Sequence, residues 1–118
     1  MPSKSTRNNN PGNIRRGRFA ERRGAPDTDG DGMANFPTSA QGFRALLELL
    51  TGPSYRDLTI EEALNRYAPP GDHNPTAAYV DYVCKQTELS PSQVIGLLPA
   101  PDLGAVGWAM AMFEGWRS

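Results

Sequence analysis

Near its end the chain reads "LGAVGWAMAMFEGW", and a single carboxylate interrupts that apolar run. Leu103, Gly107, Met110 and Glu114 recur at i, i+4, i+7 and i+11, so on a helix they share one face. That face is apolar until Glu114. A carboxyl on an apolar stripe is poorly hydrated, and desolvation favours its protonated form near neutral pH. A protonated carboxyl is what general-acid cleavage of a glycosidic bond requires. The competing reading is a glutamate at a fraying helix end, turned to water.

The start of the chain carries the second group, "RNNNPGNIR" over residues 7 to 15. Asn8, Asn9, Asn10 and Asn13 bear amides that both donate and accept hydrogen bonds. Pro11-Gly12 forces a turn, and Asn13 tolerates turn geometry. Either this is a polar tail, or it is a rigid turn in which Asn9, Asn10 and Asn13 present amides to a polyhydroxylated ligand such as a sugar chain.

Four further places have chemistry-bearing residues. In "DTDGDG", Asp27, Asp29, Asp31 and Gly32 match positions 1, 3, 5 and 6 of a calcium loop. Thr38 stands where that loop needs a bidentate Glu, so the stretch reads as a calcium site or as an acidic hairpin tip. Glu21 is the one acid among the arginines near the start; it is read as a second carboxylate that stabilises positive charge or positions water, or as a surface ion pair. His73 has no partners at metal-ligand spacing, and Cys84 has no paired His, so they read as a loop residue and a core thiol. There is no phosphate-binding glycine loop and no dinucleotide fingerprint. No cofactor is required by this set.

At 118 residues with 38% apolar and 21% charged content, the chain is expected to form one globular domain, a monomer. Its net charge is -1, yet Lys4, Arg7, Arg15, Arg16, Arg18, Arg22 and Arg23 gather at the start. Such a patch suits a polyanion or is a solvated basic surface. No apolar run approaches a membrane span. "MPSKSTRNNN" lacks the apolar core of a secretory signal, which predicts synthesis in the cytoplasm; a single cysteine fits that compartment.

The elements that must position these residues are mostly helical. "NIRRGRF" is expected to pair with "MANF" in a small hairpin. Ser39 is the expected N-cap of a helix burying Phe43, Leu46, Leu47 and Leu50. Thr59 and Glu62 form a capping box ahead of Ile60, Ala63, Leu64 and Tyr67. Asn74 with Pro75 is expected to start a helix burying Ala78, Tyr79, Tyr82 and Val83. Ser90-Pro91-Ser92-Gln93 is expected to open a short helix, and the last helix runs from about Leu103. The class is α+β, mostly α.

"RNNNPGNIR", "GDGMANFPTSAQGFRALLELL" and "RYAPPGDHNPTAAYVDYV", in that order, resemble small phage muralytic proteins of lysozyme-like fold, the group of cystovirus lysins and relatives labelled virion structural proteins. The chain is more distantly similar to bacterial glucosaminidases and lytic transglycosylases, in which a helix ending in a catalytic Glu precedes an Asn turn, a hairpin and a later helix bearing a Tyr. Here "MFEGW" stands last and the Asn turn first, so the resemblance implies a circular permutation with Glu114 as the acid and Tyr79 as the cleft tyrosine. Phe113 and the lack of an Asn after Glu114 depart from the family's ending. The implied activity is cleavage of peptidoglycan glycan strands, by a muramidase or a lytic transglycosylase, with the protein acting on the bacterial wall or carried in a phage particle. Nucleic acid is not the expected partner. The alternative is a non-catalytic virion or binding protein that grips glycan or nucleic acid through its arginines.

Overall fold

The computed structural model describes residues 3–25, 27–28, 30 and 32–117. The chain forms two compact units, one of residues 1–47 with 110–118 and one of residues 48–109. Secondary structure is mostly helical: α1 (Lys4–Arg7), α2 (Arg18–Arg22), β1 (Asp27–Thr28), β2 (Ala34–Asn35), α3 (Ser39–Leu50), α4 (Ile60–Tyr67), α5 (Thr76–Thr87) and α6 (Ala100–Phe113).

In the first unit the expected hairpin forms only in part. Ile14 to Arg16 does meet the Met33 segment: Ala34 N donates to Ile14 O at 2.8 Å and Arg16 N to Gly32 O at 2.9 Å. The strand then stops. Arg18–Arg22 winds into α2, with Glu21 N bonded to Gly17 O, and the antiparallel partner of β2 is β1, in register Asp27 with Asn35. The core of this unit is Ile14, Ala20, Ala34, Phe36, Leu46, Met110 and Trp116. Phe43 meets Trp116 edge-on, ring centroids 4.9 Å apart. The cap of α3 lies one residue earlier than expected: Thr38 Oγ1, not Ser39, accepts from Gln41 N at 3.2 Å.

In the second unit the Thr59–Glu62 capping box is complete. Glu62 N donates to Thr59 Oγ1 at 3.1 Å, and Thr59 N donates to Glu62 Oε1 at 2.9 Å. These bonds hold the Glu62 carboxyl below its ordinary value, the Thr59 backbone N–H first. A carboxyl depressed in the folded state contributes stability above pH 4.5 and loses it as pH falls below that value. Thr59→Ala is expected to cost about 1 kcal/mol in chemical denaturation and to shrink that acid-side loss.

Helix α5 buries Thr76, Tyr79, Val80 and Val83. Ala78 is exposed and Tyr82 half-buried, so the buried face is turned from the expected one. Asn74 does not cap it; its Nδ2 donates to Pro69 O at 2.9 Å. The Ser90–Gln93 segment makes a turn, with Ser90 N on Gln93 Oε1, and the short helix that follows it is a 3-10 turn, Ile95–Leu97. Val94 pairs with Thr59. Ile95 is buried, and the N–H groups of Ile95 and Gly96, which the start of the 3-10 turn leaves free, meet Leu58 O and Arg56 O. Among the described residues no helix is long and apolar enough to cross a membrane.

Candidate active site

The described site sits in the first unit, where both ends of the chain contribute. Helix α6 ends at Phe113, and Glu114 follows as its C-cap. Trp116 N bonds to Ala111 O and Gly115 N to Met112 O, the two hydrogen bonds of a Schellman motif. Gly115 takes φ 90°, which the motif requires and glycine supplies without strain. Short polar side chains on α1 then bind this end. Ser3 Oγ donates to Gly115 O at 2.7 Å, and Ser5 Oγ to Glu114 O at 3.2 Å. Thr6 Oγ1 accepts from Arg117 N at 2.9 Å. Ser5 is fully buried.

The asparagine run is folded structure, not a tail, and its members have separate tasks. Asn10 is fully buried. Its Nδ2 donates to Ile14 O and Ala34 O, each at 2.9 Å, and its Oδ1 accepts from Ile14 N at 2.9 Å. That amide is consumed inside the fold and presents nothing to a ligand, which corrects the expectation that Asn10 binds sugar. Asn9, at φ 50°, donates from Nδ2 to Phe36 O at 3.1 Å and to Pro37 O at 3.3 Å. Asn8 is buried, and its carbonyl accepts from Phe36 N. Asn13, at φ 51°, points to the C-terminal segment: its Nδ2 donates to Glu114 Oε1 at 3.1 Å. Glu114 is half-buried. A carboxyl is thus held by an amide 101 positions away in sequence.

The other expected site residues lie elsewhere. Glu21 is exposed on α2. Tyr79 belongs to the second unit and is 1% exposed, so its side chain is part of that unit's core. Asp29 and Asp31 lie outside the described residues, and Asp27 is described as backbone in β1. Among the described residues no group of three or more His, Cys, Asp and Glu is placed to hold a metal ion. His73 caps a 3-10 turn in the left-handed conformation.

Sequence reasoning passed over Ser3, Ser5 and Trp116. The contacts that matter here, with Gly115, Glu114 and Phe43, reach far across the sequence, and a local signal was Ser3 three residues before Thr6, whose N–H it accepts at 3.3 Å.

Cys84 lines a groove of about 510 Å³ in the second unit with Glu61, Asp81 and Val80. Burial pushes its thiol up, and the Asp81 and Glu61 carboxylates push it further. Alkylation by iodoacetamide is therefore expected to be slower at neutral pH than for free cysteine. Asp81→Asn should move the midpoint of the rate-against-pH curve down. An unshifted midpoint would remove the carboxylate contribution.

Compared with known proteins, the chain matches no family model, and no curated protein is similar to it. The functional reading therefore stands on the geometry of Glu114 and its neighbours.

Proposed function

We propose that the chain cleaves the glycan strand of peptidoglycan, with Glu114 as its acid, and that its first unit is a lysozyme-like catalytic half in circularly permuted order. The contact of Asn13 Nδ2 with Glu114 Oε1 carries the reading. It is the meeting of Asn turn and terminal glutamate that a permuted arrangement demands. The Schellman turn and the serines of α1 support it by holding the Glu114 backbone in one place.

In this reaction Glu114 donates its proton to the glycosidic oxygen as the C1–O bond breaks, and the departing saccharide leaves as an alcohol. The cationic C1 is captured by the 6-hydroxyl oxygen of the same muramoyl residue, or by water. The Glu114 carboxylate takes the proton that this oxygen loses. The two routes end in an anhydro terminus or a reducing terminus, and mass analysis of the products separates them. Arg15, Arg16, Arg18 and Arg22 are exposed and suit an anionic wall polymer.

Those arginines also favour a second reading, a non-catalytic protein that holds a polyanion. Turbidity clearing of purified peptidoglycan by wild type and by Glu114→Gln decides between them. Clearing lost with the carboxyl supports catalysis; no clearing by wild type, with binding that falls steeply as salt is added, supports the polyanion reading.

A further inference from the structure

Asn13 Oδ1 is buried and has no hydrogen-bond partner, while Nδ2 of the same amide bonds to Glu114. A buried acceptor left unmet is costly, and such atoms are rare in folded proteins. Protonation of Glu114 opens a second arrangement to this amide. An ionised carboxylate offers only acceptors, so the amide must turn its nitrogen to Oε1. A protonated carboxyl offers an O–H donor, and the two ends of an asparagine amide are nearly equal in size. Half a turn about the Cβ–Cγ bond brings Oδ1 to the acid.

We propose that Asn13 is the positioning residue of Glu114: its amide holds the carboxylate through Nδ2 and the protonated acid through Oδ1, keeping one carboxyl position through both halves of turnover. The inference rests on the reading of Glu114 as an acid that becomes a base, and it moves Asn13 from sugar contact to control of the acid. An asparagine amide suits a group that changes charge within one reaction cycle, because it is neutral and both donates and accepts. The backbone agrees with this task. Asn13 is fixed at φ 51° by a turn in which its N–H bonds to Asn10 O at 2.9 Å, and the Glu114 backbone is held by Met110 and Ser5. With both backbones held, what remains free is side-chain torsion, the amide rotation of Asn13 among them.

The other described charged groups of this unit are Lys4 and Arg7 on α1, Arg15 and Arg16 past the turn, Arg18, Glu21 and Arg22 on α2, Arg23 after it, Arg44 on α3, and Arg117. Arg117 turns Nη1 to Trp116 O at 2.7 Å. A titration sensed at Asn13 from about pH 3 to 8 is assigned by comparing wild type with Glu114→Gln, which removes the carboxyl in contact with the amide.

The test follows the Asn13 side-chain amide and the Glu114 carboxyl by NMR over that range in the full chain without substrate. The amide signals are expected to move with the midpoint of the Glu114 carboxyl. Amide signals that stay flat while Glu114 titrates would overturn the proposal. Asn13→Gly keeps the left-handed backbone and removes the amide. It is expected to lower kcat on peptidoglycan by roughly tenfold to a hundredfold with KM little changed, and to alter the pH profile of kcat. A raised KM at unchanged kcat would make Asn13 a sugar contact and overturn it as well. The NMR result does not depend on the protein being a glycan-cleaving enzyme, so its failure is distinct from failure of that reading, which Glu114→Gln tests.

Discussion

Glu114→Gln is expected to leave the chain folded and to reduce peptidoglycan clearing at least about a hundredfold, the usual cost of removing a general acid. The fold should survive because the backbone of residue 114, not its carboxyl, makes the structural bonds. Its N–H meets Met110 O and its carbonyl accepts from Ser5 Oγ. Glutamine also keeps an oxygen for Asn13 Nδ2, so the 3.1 Å contact needs no rearrangement. What glutamine lacks is an exchangeable acidic proton. The measurement is the rate of turbidity loss of purified peptidoglycan beside a thermal melt of each protein. An inactive variant with an unchanged melting temperature supports Glu114 as the acid. A variant that clears at the wild-type rate would move the acid elsewhere, with exposed Glu21 the first residue to test.

Gly42→Ala is expected to be the most damaging small substitution in the first unit. A Cβ at residue 42 would overlap the Asn9 carbonyl oxygen and stand 2.7 Å from Pro11 Cδ. Both obstacles belong to the asparagine turn, one of them backbone, and neither is the free end of a side chain. Overpacking of this kind costs about 3 kcal/mol or more when no flexible neighbour can yield. For a chain of this size that is a fall in melting temperature on the order of 10 °C. The turn that carries Asn13 must shift if the chain folds at all, so activity should fall with stability. Gly71→Ala is the control, because a Cβ there meets nothing within 4 Å. Equal melting temperatures for wild type and Gly42→Ala would mean that α3 does not abut the turn in solution.

The sequence by itself determined the features whose partners are near neighbours in the chain. The capping box of Thr59 and Glu62 joins residues three apart, and the α3 stripe of Leu46 and Leu50 repeats within one turn. The turn at Pro11-Gly12 and the left-handed Asn13 were legible for the same reason. Tertiary structure decided everything that depended on a distant partner. Arg18 and Phe19, expected as strand, are helix: past the Arg15–Met33 bridge the chain turns at Gly17, φ 149°, and winds into α2, while β2 pairs with β1. Asn74 does not cap α5 because the helix starts one residue later, with Pro75 at the cap position, and its Nδ2 donates to Pro69 O. Asn10 and Asn13 look equivalent in "NNNPGN", since each is an amide near a turn. Asn10 is used up by Ile14 and Ala34, whereas Asn13 reaches Glu114 across 101 positions. An amide makes a bond with whichever group the fold brings within about 3 Å of it. Residue type states what an asparagine can bond, and only the folded chain selects the partner.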